Sequence, residues 1–122
     1  MSFKKYNGQD KYHFRIYKRS VLHPFIVVAV SENIEENGEI TISGYIVTHS
    51  LNRVFNKPGV YEKLKKNPNP NDSKPSFVNR YRVNDIPANR FSKPYTRWHL
   101  AKEDEELIDK FEQKYRNKKK AP

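Results

Sequence analysis

Apolar and polar residues alternate, run together or recur at helical spacing in separate stretches of this chain. "YHFRIYK" (Tyr12 to Lys18) sets Tyr12, Phe14 and Ile16 against His13, Arg15 and Tyr17, a period of two that predicts a half-buried strand. "PFIVVAV" follows with six consecutive apolar residues, Phe25 to Val30. A short β-branched run of this kind reads as a central strand. Asn37-Gly38 is a hairpin signal, and "EITISGYIVTHS" (Glu39 to Ser50) is the expected return strand. Gly44 interrupts that strand, which predicts a bulge or sharp bend where a barrel corner could form.

The next stretch, Leu51 to Ser76, has prolines at 58, 68, 70 and 75 and cannot be one helix. It is expected to be a long basic loop, with one short helix over "PGVYEKLKK" and turn chemistry in "NPNPND". "SFVNRYRV" (Ser76 to Val83) alternates again and reads as one strand with Arg80 and Arg82 on a shared face. After an irregular connection, "KEDEELIDKFEQKYRNKKK" places Leu107, Ile108, Phe111 and Tyr115 at helical spacing. Acids gather at the start of this segment and bases at its end, which complements the helix macrodipole. Residues 1–10 and 117–122 are expected to be loose. Strands first and one C-terminal helix last imply a single mainly β domain over 1–122: a small, curled, mostly antiparallel sheet with the helix packed on it.

Composition adds a direction. Aromatics make up 13% of the 122 residues, enough to supply a small core in an otherwise polar chain. Lys and Arg number 24 against 14 acids, a formal charge of +10. Such a chain is attracted to polyphosphates, and nucleic acid is the expected partner. No apolar run reaches membrane length and no leader-like segment opens the sequence, so a cytoplasmic protein without membrane association is expected. There is no Cys, and the four His lie far apart without metal spacing. No glycine-rich phosphate loop and no G-x-S-x-G elbow is present. No metal or cofactor is expected.

The remaining chemistry is positional. His23 precedes one central strand, and Thr48, His49 and Ser50 end the next. A hairpin through Asn37-Gly38 brings His23 near the level of Ser50 or slightly beyond, gathering two imidazoles and two hydroxyls at one end of the sheet. Imidazole is suited to moving protons near neutral pH. Equally, a Thr at a strand end is commonplace and a His before Pro is usually a loop residue. The Asn52 to Lys74 stretch, Arg80, Arg82 and the Arg116 to Lys120 tail concentrate positive charge. Tyr61, Tyr81 and Trp98 are candidates for base stacking or, as readily, core and interface aromatics.

At these residues the chain resembles the MazF/PemK-type toxins, whose fold is shared with CcdB. "HPFIVVAV" is similar to that family's Arg-Pro pair opening an apolar strand. "IVTHS" is similar to its core strand ending in Thr, and "VNDIPANRFSKPYTRWHLAKEDEELIDKF" to its C-terminal tail. The resemblance runs from about His23 to Phe111, with Leu51 to Ser76 unmatched. It implies a small SH3-like antiparallel β-barrel, a homodimer, a possible antitoxin partner, and metal-independent cleavage of single-stranded RNA through attack by the RNA's own 2′-OH. Carried over by position, Thr48 matches the family's active-site Thr, His23 stands where the family has an Arg, and Arg80 lies near a second active-site Arg. The implied catalytic set is therefore His23, Thr48 and Arg80. Arg19, His49, Ser50, Arg53, Lys57, Arg82 and Trp98 are the candidate nucleic-acid contacts. The family's N-terminal RGD/RGE opening is absent, and a His in place of the Arg gives up the fixed bidentate phosphate grip of a guanidinium. Either Arg19, Arg53 or Arg80 supplies that charge, or the site is inactive and a nucleic-acid- or protein-binding barrel remains.

Overall fold

The computed structural model describes residues 2–3, 12–19, 21–33 and 38–120. Its backbone is a long hairpin of β3 (Leu22–Asn33) and β4 (Glu39–Thr48) with shorter strands added on either side. The outer edge of β3 pairs with β2 (His13–Lys18) along its first half and with β1 (Ser2–Phe3) near its end. The outer edge of β4 pairs with β7 (Val83–Pro87) and, at its last two residues, with β6 (Phe77–Asn79), which in turn pairs with β5 (Tyr61–Lys63). Every pairing is antiparallel. α1 (Leu51–Asn56) follows β4, and α2 (Lys102–Lys120) closes the chain. No helix among the described residues is long and apolar enough to cross a membrane.

The unbroken apolar run Phe25 to Val30 has a simple cause: β3 is buried on both faces. Ile26 joins Phe14, Tyr45, Val47, Leu64, Val78, Ile108 and Phe111 in a core under α2. Phe25 and Val27 join Ile42, Ile86 and Phe91 in a second core on the opposite face. That second core is enclosed because the sheet curls. After β7 the chain returns to the free edge of β2, where Phe91 bridges Tyr17, the Ser92 N–H donates to the Ile16 carbonyl (2.9 Å) and the Tyr95 N–H to the Phe14 carbonyl (2.8 Å). These bonds satisfy backbone groups that an open edge would expose.

The bend sits at Gly44, as its place in the strand predicts. β3 carries one extra residue between Val27 and Ala29, opposite Gly44 and Ser43, and the pairing with β7 also shifts beside Gly44. A Cβ on Gly44 would lie 1.8 Å from the Ile26 carbonyl oxygen, so no other residue fits this backbone approach.

Several expectations are corrected. The segment Leu51 to Ser76 is more ordered than a plain loop, and its helix is Leu51–Asn56 rather than "PGVYEKLKK". Ser50 starts that helix by accepting the Arg53 N–H on its side chain. Tyr61–Lys63 is instead a strand, fixed by β6 and by the Leu64 N–H donating to the Ser76 carbonyl (2.8 Å). The strand expected over Ser76 to Val83 breaks after Asn79, whose side-chain oxygen accepts the Tyr81 N–H (2.9 Å) and turns the chain. α2 runs on to Lys120. Asn37 of the expected hairpin turn, most of residues 1–10, and residues 121–122 lie outside the described residues.

α2 is held by side chains as well as by Ile108 and Phe111. The Tyr45 hydroxyl donates to Glu112 (2.8 Å), and the Arg82 guanidinium pairs with the same carboxylate (2.9 Å) while lying over the Tyr115 ring. Burial and Glu112 push the Tyr45 pKa up, keeping its proton available to donate. At the helix start, buried Asp104 accepts the backbone N–H groups of Lys65 (2.8 Å) and Lys66 (3.2 Å).

Candidate active site

His23 stands one residue before Pro24, and the β3–β4 ladder begins directly afterwards at Phe25–Ile46. Extending that register by two residues puts His23 across from Thr48. The sequence-based level was Ser50 or beyond. Two features account for the difference. The Asn33–Glu39 pair centres the hairpin on position 36 rather than on Asn37-Gly38, and the extra residue at Val28 slides β3 by one more. Strand alternation places His23 on the Phe25 face and Thr48 on the Ile46 face, which border the same core.

The imidazole is buried, 8% exposed, with its neighbouring strand supplied by Tyr17, its register partner on β2. Arg19, just past β2, lies over the Tyr17 ring at 5.6 Å. Arg53 projects from α1, one turn after the end of β4. Burial lowers the His23 pKa below its usual 6.5, the charges of Arg53 and Arg19 lower it further, and a backbone hydrogen bond at Val47 partly opposes them. The ring is thus neutral near neutral pH, with two permanently charged guanidinium groups close enough to bear on it.

Thr48 is buried, 3% exposed, and its Oγ1 accepts the Ser50 N–H (3.2 Å). Ser50 Oγ in turn accepts the Arg53 N–H (3.3 Å). These two hydroxyls shape the turn that starts α1 and so aim Arg53. His49 Nδ1 lies 3.1 Å from both the Pro75 carbonyl oxygen and Ser76 Oγ. Lys57 caps the exposed end of α1.

Arg80 and Arg82 go elsewhere. With the strand broken at Asn79 they share no strand face. Arg80 reaches the Gly59 carbonyl (3.3 Å) and Glu62 (3.6 Å). Arg82 is engaged by Glu112 and by Asn84. Trp98 packs on the core under α2, with its ring 6.0 Å from Phe14 and 5.0 Å from Tyr95. The structure therefore gathers His23, Thr48, Ser50, Arg53 and Arg19 at one end of the sheet and leaves Arg80, Arg82 and Trp98 outside that cluster. Among the described residues no three His, Cys, Asp or Glu side chains gather in a metal-binding group.

Sequence reasoning passed over Glu112, which takes Arg82 out of circulation, and read Asp104 only as one of the acids gathered at the start of the helix, not as the carboxylate that pins Lys65 and Lys66. Comparison of the chain with protein-family models, curated proteins and solved structures found no match in any of the three.

Proposed function

We propose that the protein is a toxin-like endoribonuclease that cleaves single-stranded RNA without a metal ion, built on an SH3-like barrel of the MazF/PemK type. The curl that brings Phe91 and Ser92 to the free edge of β2 supports the barrel reading. The observation that carries the function is the buried imidazole of His23, opposite Thr48 and flanked by Arg53 and Arg19. In this reading neutral His23 takes the proton from the 2′-OH. The 2′-oxygen then attacks the adjacent phosphorus, the 5′-oxygen leaves with a proton from the imidazolium or water, and a 2′,3′-cyclic phosphate remains. Arg53 and Arg19 hold the phosphate oxygens as charge builds, taking over what a single Arg does in the resembled family. A homodimer and an antitoxin partner belong to the same reading.

A second reading, a binding barrel of the same fold without catalysis, is favoured by one specific arrangement. Thr48 Oγ1 is committed to the Ser50 N–H and Arg80 to Glu62, so two of the three residues matched to the family's site are otherwise engaged.

Labelled single-stranded RNA incubated with the purified protein in EDTA separates the two. The ribonuclease reading expects cleavage with a 2′,3′-cyclic end, lowered about 10²–10⁴-fold by His23→Ala, the usual worth of acid–base help. RNA that is bound but left intact, or cleavage unaffected by His23→Ala, overturns it.

A further inference from the structure

The turn after β6 and the later turns of α2 enclose a cleft of about 470 Å³ that none of the residues at the His23 end borders. Its volume is on the scale of pockets that hold small-ligand-sized groups. Tyr45, Phe111 and Tyr115 supply aromatic surface, and Arg80, Arg82, Lys114 and Lys118 supply positive charge. Glu62 and Glu112, the partners of Arg80 and Arg82, do not border it. Lys114 and Lys118 stand one helical turn apart, are exposed, and form no ion pair among the described residues. Beside them Tyr81 is 65% exposed. Its backbone is nonetheless fixed, because Asn79 accepts its N–H and the preceding Arg80 N–H donates to the Val60 carbonyl (2.8 Å). An aromatic ring is thus presented to solvent from a set turn, next to two ammonium groups with no carboxylate partner among the described residues.

We propose that this cleft binds a segment of single-stranded RNA, with one base stacked on Tyr81 and flanking phosphates held by Lys114 and Lys118. Stacking platforms beside cationic groups are how single strands are held without sequence readout. An acidic peptide would use the lysines but give Tyr81 no task. The choice of RNA over DNA rests on the ribonuclease reading; the cleft itself does not.

The test is fluorescence anisotropy with a labelled, non-cleavable 2′-O-methyl RNA octamer, a DNA octamer of the same sequence, and a poly-glutamate peptide as competitor. Circular dichroism verifies that each variant folds. Tyr81→Ala is expected to weaken RNA binding roughly 5- to 150-fold, the worth of one stacked base, and Tyr81→Phe to restore most of it. Lys114→Ala with Lys118→Ala is expected to flatten the slope of log affinity against log salt by about 1.4, two single-strand phosphate contacts. Lys102→Ala with Lys110→Ala, which removes the same charge from the same helix outside the cleft, is expected to cost much less. The proposal is overturned if Tyr81→Ala binds like the wild type, if the two double-lysine variants behave alike, if poly-glutamate displaces RNA regardless of Tyr81, or if DNA is preferred. Tyr81-dependent RNA binding by a protein that cleaves nothing would sustain the cleft and refute only the ribonuclease.

Discussion

Replacing Asp104 by alanine is expected to cost about 3 kcal/mol of folding stability, far more than an ordinary helix-surface change. The carboxylate is 3% exposed and accepts two backbone N–H groups, from Lys65 at 2.8 Å and Lys66 at 3.2 Å. Hydrogen bonds to a charged group are worth roughly 1.5–3 kcal/mol each. The full sum overstates the loss, because Lys65 and Lys66 are exposed and water can reach part of the vacated space. Asp104 also sits in the first turn of α2, where a negative charge gains about 0.3–1 kcal/mol from the macrodipole. A net of about 3 kcal/mol is a large share of the roughly 5–15 kcal/mol that holds a domain together. Asp104→Asn keeps the shape and one acceptor, and is expected to fall between wild type and alanine. Urea denaturation followed by circular dichroism gives the energies, and hydrogen exchange at the Lys65 and Lys66 amides gives the location. A loss under about 1 kcal/mol, or a larger loss with those two amides still protected, would refute the reasoning.

Three further outcomes are expected. His13 is pushed down to about 4 by burial and by Arg15, against about 6.5 in an unfolded chain, so below pH 6.5 the unfolded state binds the extra proton. Stability from this group is therefore full above pH 6.5 and is lost as pH falls toward 4. Urea midpoints between pH 7 and 5 should show the decline and His13→Gln should flatten it; an unchanged slope counts against the assignment. Gly44→Ala should cost about 3 kcal/mol or more, because the new methyl meets the Ile26 carbonyl rather than a movable side chain; a thermal melt like the wild type's would contradict it. If the chain is a homodimer, the exposed Phe55 and Leu51 of α1 are its best anchors, so light scattering should give twice 14.5 kDa for the wild type and a smaller mass for Phe55→Ser. A monomer at high micromolar concentration rules the dimer out.

The strands β2, β3 and β4 and the helix α2 were legible because each announces itself within its own ten or twenty residues: alternation, an apolar run, a bend glycine, a helical stripe. The middle of the chain was not, because its structure is decided at a distance. Leu64 is buried by a strand pairing with residues 14 or so further on, and Lys65 is fixed by a carboxylate 39 positions away. The candidate site was legible in kind and misplaced in detail. The ladder, continued two residues beyond Phe25–Ile46, sets His23 level with Thr48 rather than Ser50; Gly44 marked where a bulge would fall, but not that the extra residue would be on β3 or that the hairpin would centre on position 36. Arg80 and Arg82 were read by periodicity alone, and periodicity cannot see that Asn79 turns the chain or that Glu112 waits on the helix for one of them.

The extra residue at Val28 sets a rule for how this chain can change over generations. The hairpin connection lies beyond Asn33 and Glu39, so lengthening it leaves every pairing between β3 and β4 in place. Removing Val28 also leaves the pairings in place, because Val27 stays opposite Gly44 and Ala29 opposite Ser43 and the ladder simply closes. What would be lost is the added bend and twist that the extra residue gives the strand. Drift in length is thus absorbed at the connection and at Val28, and at the second of these it is the curvature of the sheet, not its register, that changes.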